Sequence, residues 1–269
     1  MKLIGAIVFI LSASQAIALC TDLTGTWRNQ LNSNMTIESV TGDVFTGTYH
    51  TAVESTQGAA RLSSKISGMI KTVENGKLVG FNVLWNKGAS LTAWVGECIV
   101  CGGREKIFTT WVLRSYQPVK KRWMTTRINQ DTFWRLESAV EEANQVLQSS
   151  VRDGSVSSSG LQGKWRSNSG DSFDITEVQE QGTWKGTHNG DGQNGVVAAG
   201  RFDGNQTYTA LGFIAASSNK IRGWTGHIDD PQSTVTKVLE TSWLEHTFNQ
   251  NCNNPRKFVN FGIDNYSRS

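Results

Sequence analysis

Short runs in which apolar and polar residues alternate, separated by Gly, Ser, Thr, Asn and Asp, recur along the 269-residue chain. A period of two predicts strands whose successive side chains face opposite sides of a sheet. Residues 45–53 put Phe45, Gly47, Tyr49, Thr51 and Val53 on one face, and Ser33, Met35 and Ile37 alternate with Asn34, Thr36 and Glu38. Phe81, Val83 and Trp85 share a parity, as do Ser90, Thr92 and Trp94 after the loop at 86–89; Trp111 and Leu113 follow. One stretch, 136–148, reads helical, and it leads into a Ser/Gly-rich linker ending near residue 160. With only three prolines and many short alternating runs, the chain is predicted to be all-β.

The two sides of that linker repeat each other. LTGTWRNQLNSNMTI (23–37) aligns with LQGKWRSNSGDSFDI (161–175), and FTGTYHT (45–51) with WKGTHNG (184–190). GFNVLW (80–85) aligns with GFIAAS (212–217), and TTWVLRS (109–115) with TSWLEHT (241–247). Such self-similarity predicts an internal duplication with one barrel per copy, at 19–136 and 161–269, flanking a linker at 137–160. Each copy is long enough for a closed sheet of about eight strands, which removes exposed edges.

Residues 1–18 combine a basic start at Lys2, an apolar run from Leu3 to Leu11, and small residues at Ala16 and Ala18. They are expected to form a signal peptide, leaving a secreted chain without membrane spans. In that compartment the four cysteines favour disulfides. The Cys98-x-x-Cys101 pair alone is weak evidence for zinc, because Cys20 and Cys252 offer no second paired spacing. Asn34, Asn205 and Asn265 open glycosylation triplets. The net charge of +3 is uneven: residues 20–136 carry 14 Lys and Arg against 8 Asp and Glu, and residues 161–269 carry 10 against 11. The most basic run, Lys120-Lys121-Arg122, is too short for a nucleic-acid groove and reads as a solvated loop. Four histidines and no Gly-x-Ser-x-Gly elbow give an enzyme little to work with.

The expected inward face mixes tryptophans with Asn29, Ser33, Tyr49, Thr51, Ser90, Thr92 and Asp131. Left without partners, such groups cost roughly 1–3 kcal/mol each, so either they satisfy one another or a ligand completes them. At these residues the first copy resembles the avidin and streptavidin family over 20–136. LTGTWRNQLNSNMTI, FTGTYHTAV, the Trp85 region, WVGEC, TTWVLRS and TRINQDTFWRL occur in family order and spacing. The resemblance implies two tandem eight-stranded antiparallel up-and-down β-barrels and noncovalent, high-affinity capture of biotin as ligand, without a cofactor. It assigns Asn29, Ser33 and Tyr49 as donors to the ureido oxygen, and Thr51 and Asp131 as acceptors for the two ureido N–H groups. Thr92 lies near the ring sulfur, Ser90, Ser55 and Thr56 near the carboxylate tail, and Trp85, Trp94 and Trp111, with Leu113, around the ring. Trp123 matches a tryptophan lent to a neighbouring subunit, which implies a homo-oligomer formed through the first barrel. Cys20 and Cys98 match a family disulfide; Cys101 and Cys252 have no counterpart and either bridge the barrels or stay separate.

The chain also departs from the pattern. Glu54 brings a negative charge near the carboxylate tail, and Lys87 offers a compensating cation. The second copy carries Ser167, Asp171, His188, Gly190 and Ser217 at the positions of Asn29, Ser33, Tyr49, Thr51 and Trp85. Lys220 and Arg222 fall near Ser90 and Thr92, while Trp224, Trp243 and Asp264 remain. That copy is expected to be a degenerate barrel, or one re-aimed at another ligand. A secreted binder of carbohydrate or another small molecule on Trp platforms is the competing function.

Overall fold

The computed structural model describes residues 19–53, 62–136, 161–178, 183–188, 193–203, 207–229 and 238–269. The expected signal peptide, helix and linker lie outside them. The first half contains β1 (Gly25–Asn29), β2 (Asn34–Thr41), β3 (Val44–His50), β4 (Ser64–Val73), β5 (Gly76–Trp85), β6 (Ser90–Cys101), β7 (Arg104–Ser115) and β8 (Thr126–Arg135). The second contains β9 (Gly163–Ser167), β10 (Ser172–Val178), β11 (Thr183–His188), β12 (Gln193–Asp203), β13 (Thr207–Ala216), β14 (Lys220–Asp229), β15 (Val238–Thr247) and β16 (Val259–Arg268). Each set forms a closed antiparallel barrel in which every strand pairs with its chain neighbours and the last returns to the first. The all-β, two-barrel expectation is met.

The repeated Leu-x-Gly-x-Trp-Arg segment has a physical reason in both copies. Gly25 and Gly163 adopt φ of 105° and 120°, a region that disfavours side chains. The bend lets the following Trp27 or Trp165 turn inward and donate its indole N–H to the carbonyl of Leu23 or Leu161, each at 2.9 Å. Both tryptophans are fully buried and anchor the barrel core. Arg135 closes the same end of the first barrel, 4.4 Å from the Trp27 ring centroid.

The outer faces of the barrels are also apolar where the two meet. Met69, Leu78, Ala93, Val95 and Val112 of the first barrel pack with Val196, Ile214, Ala216, Ile221 and Leu244 of the second. Gly80 and Gly212 make this approach possible. A Cβ on Gly80 would lie 2.8 Å from Ile221 Cδ1, and one on Gly212 would lie 2.6 Å from Leu91 Cδ2. Polar contacts frame the apolar patch: Arg114 donates to His227 Nδ1, Ser242 Oγ and Glu240 Oε2 at 2.9–3.0 Å. Arg122 also donates to Glu240, at 3.2 Å, so the basic run expected to be only solvated contributes to the interface. Disulfides join Cys20 to Cys98 within the first barrel and Cys101 to Cys252 across the two. The open question about Cys101 and Cys252 is thereby resolved as a bridge.

Candidate functional site

The first barrel contains a cavity of about 230 Å³ whose polar groups have been sorted by the backbone around them. At the end of β1, Asn29 N–H donates to Ser33 O at 2.9 Å across a turn in which Asn32 takes φ 63°. The side-chain oxygen of Asn29 accepts from the N–H groups of Leu31 and Ser33 at 3.0 and 2.9 Å. Its acceptor is thus used, and its amide N–H₂ points towards Tyr49 Oη, 3.4 Å away. Ser33 Oγ accepts from Ala52 N at 3.0 Å, which leaves its proton available. Tyr49 is 3% exposed, and burial together with the charge of Asp131 pushes its pKa well above that of an ordinary phenol. Three donors therefore converge from β1, the following turn and β3.

The acceptors lie across from them. Thr51 Oγ1 donates to Val53 O at 2.9 Å and accepts from Val53 N at 3.1 Å. A hydroxyl has one proton and two lone pairs, so Thr51 has only an acceptor site left. Asp131, on β8, receives Trp94 Nε1 on Oδ2 at 2.9 Å and Gln30 Nε2 on Oδ1 at 3.0 Å. Two bonds fix the plane of this 3%-exposed carboxylate and leave lone pairs facing the cavity. Thr92 Oγ1 takes the indole N–H of Trp85 at 2.7 Å, so this hydroxyl holds a wall in place. Trp85, Trp94 and Trp111 stand next to one another, with centroids 6.4 Å apart in each neighbouring pair, and Trp94 stacks on Phe81 at 4.8 Å. An aromatic enclosure of this kind excludes water and strengthens the hydrogen bonds made inside it.

Most residues singled out in the sequence line this one cavity: Asn29, Ser33, Tyr49, Thr51, Trp85, Ser90, Thr92, Trp94, Trp111, Leu113 and Asp131. Ser55, Thr56 and Glu54 lie outside the described residues, as does Asn205. Trp123 does not line the cavity; it is 81% exposed on a short 3₁₀ segment between β7 and β8. Val53, which the alternation already put on the inward face, also lines it; Leu31, Ser64, Asn86 and Arg127 line it too and were not picked out. Ser64 and Arg127 could have been found by extending the strand parity, Arg127 sharing the parity of Asp131 on β8; Leu31 and Asn86 sit in turns, where periodicity carries no signal. Asn34 is 5% exposed with its Oδ1 bonded to Arg28 Nε at 3.0 Å, an interaction a glycan there would have to displace, whereas Asn265 is exposed. Among the described residues no group of His, Cys, Asp and Glu could hold a metal.

The equivalent interior of the second barrel is built from charges. Strand register pairs Trp224 with Phe213 and Trp243, as Trp94 pairs with Phe81 and Trp111, which places Arg222 and Lys220 at the positions of Thr92 and Ser90. Asp171 Oδ1 lies 2.6 Å from His188 Nε2, and its Oδ2 accepts from Arg222 Nη1 and Tyr266 Oη, both at 3.2 Å. Arg222 also donates to Glu245 through Nε at 3.0 Å, and Lys220 reaches the same carboxylate at 3.2 Å. Burial alone would raise the pKa of Asp171, but hydrogen bonding and charge from His188, then Arg222, hold it below the usual carboxylate value. Where the donors of the first barrel keep hydrogen-bonding capacity to spare towards the cavity, the second joins charged side chains to one another.

The Avidin family model matches this chain twice, at residues 17–136 and 155–269. Avidin-related protein 4/5 of Gallus gallus is 39% identical over 123 residues, covering 45% of this chain and 81% of its own length. Avidin of Gallus gallus is 37% identical over 124 residues, covering 44% and 81%. A solved structure described as a biotin binding protein from chicken is 36% identical, covers 43% of this chain and 97% of its own, and superposes with a TM-score of 0.40.

Proposed function

The chain belongs to the avidin family, whose members bind rather than catalyse, and from that premise we propose that it is a secreted, noncovalent biotin-binding protein with one functional site, in the first barrel. One observation carries the reading: three donors and two acceptors face a single tryptophan-walled cavity with their other hydrogen-bonding capacity already used by the protein. A cyclic urea has the complementary set, one oxygen that accepts several bonds flanked by two N–H groups. Asn29, Ser33 and Tyr49 meet the oxygen, where preorganised donors are most effective. Thr51 and Asp131 each take one N–H. Ser90 and Arg127, at the rim, suit the carboxylate tail, and the exposed Trp123 would cap the pocket of a second copy in an oligomer.

The second barrel does not share this activity. Its Asp171 and Glu245 already pair with Arg222, so a neutral urea entering there would have to break ion pairs and leave buried charges uncompensated. A carbohydrate site is less favoured in the first barrel because the three tryptophans form an enclosure rather than an open platform.

Biotin titration followed by intrinsic tryptophan fluorescence tests the proposal. The wild-type signal should saturate, and Tyr49→Phe, which removes one donor and little volume, should weaken binding by on the order of 2 kcal/mol, roughly thirtyfold. Unchanged affinity in Tyr49→Phe would remove the phenol from the site; no wild-type response at all would sink the biotin reading.

A further inference from the structure

The connection between β15 and β16, residues 248–258, lies against the outer wall of the first barrel. Asn249 N donates to Glu97 Oε2 at 2.9 Å, and Cys252 is bonded to Cys101. A few residues on, Arg256 places its guanidinium over Phe108, 5.3 Å from the ring centroid, and reaches the two strands beside it. Its Nε donates to Thr109 O at 3.0 Å. Its Nη2 donates to Thr132 Oγ1 at 2.7 Å and to the main-chain carbonyl of Asp131 at 2.6 Å. Asp131 is the residue whose carboxylate faces the first barrel's cavity from the other side of β8.

Within the first barrel, Trp94 and Gln30 orient that carboxylate, and the Thr109 hydroxyl supports its carbonyl at 3.2 Å. Arg256 adds a charge-assisted fork from outside, and such bonds are shorter and stronger than neutral ones. Its effect on the cavity is geometric. Moving the Asp131 carbonyl rotates the peptide and swings the Cα–Cβ bond, whereas an acceptor must be held within about 0.5 Å to meet its donor well. We propose that Arg256 is a positioning residue for the Asp131 acceptor, so that the second barrel, having no urea site of its own, completes the site of the first. The inference rests on the biotin reading above.

The test uses the full chain and three ligands: biotin and its two regioisomers methylated on one or the other ureido nitrogen. The isomer facing Asp131 is the one whose affinity Asp131→Ala does not weaken. Arg256→Ala should weaken biotin and the Thr51-side isomer by about tenfold, the range for misaligning one ligand hydrogen bond to a charged acceptor. It should leave the Asp131-side isomer within about twofold, because that ligand makes no N–H bond there to lose. Arg256→Lys keeps the charge without the fork and should show the same selectivity at smaller amplitude; it also serves if the alanine variant does not fold. Arg114→Ala, which loosens the same interface elsewhere, should shift all three ligands in parallel or not at all. Equal losses across the three ligands in the Arg256 variants, or no loss, overturn the proposal. A wild-type chain that binds no biotin overturns the parent reading and this inference with it.

Discussion

Between the barrels, His227 accepts the Arg114 Nε–H on Nδ1 at 2.9 Å and is 6% exposed, so it is held neutral. Burial, then the charges of Arg114 and Arg122, bring its pKa from 6.5 to about 3. The unfolded chain binds the proton more readily, so stability is complete above pH 6.5 and is lost as the pH falls towards about 3. By pH 5 this one group should cost about 2 kcal/mol. Thermal melts of wild type should show the loss between about pH 6.5 and 4.5, before the carboxylates protonate. In His227→Gln, whose amide oxygen still accepts from Arg114, that slope should flatten. An identical slope in the variant would exclude His227 as its source. Nothing at this scale was visible in the period of the sequence: His227 occupies an ordinary alternating position, and its depressed pKa depends on an arginine 113 residues away. Tyr49 and Thr51 were legible because their parity placed a phenol and a hydroxyl among apolar side chains. Gln30 was not, because it is an exposed turn residue that reaches Asp131 only through the length of its side chain.

At the level of elements, β5 and β13 face each other across the interface with Gly80 and Gly212 where a side chain would collide. Gly212→Val would set its first carbon 2.6 Å from Leu91 Cδ2 and 2.7 Å from Asn82 Oδ1. Overpacking of this kind costs about 1–3 kcal/mol, so the melting temperature should fall and proteolysis of the native chain should accelerate. An unchanged melt would mean the barrels do not dock through this face. The strands themselves could be read from the alternation, and the closed sheets from their number. Docking could be read only indirectly. In SLTAWVGECIVC of β6, both parities are apolar, the mark of a strand buried on two sides, but the partner face could not be named from composition. The same limit applies to Cys101 and Cys252, whose bridge depends on how the barrels meet.

For the molecule as a whole, the duplication produces an intramolecular pair of barrels with different interiors. The first keeps a cavity lined by donors and acceptors with hydrogen-bonding capacity to spare; the second places Asp171, His188, Arg222 and Glu245 against one another at the equivalent positions, and sends Cys252 and Arg256 to its neighbour. The bridge closes a span of 151 residues, worth about 5 kcal/mol in the chain-entropy model, and keeps the pair together while other contacts fluctuate. Loss of the urea pattern in the second copy could be read residue by residue from the repeat. Its replacement by an internal ion network could not, because Tyr266 enters from the position of Phe133, which the alignment of site residues does not include. Isothermal titration of the full-length, oxidised chain with biotin tests this difference most directly. Saturation is expected at one biotin per chain; two per chain would contradict the paired charges of the second barrel, and no heat of binding would contradict the site itself.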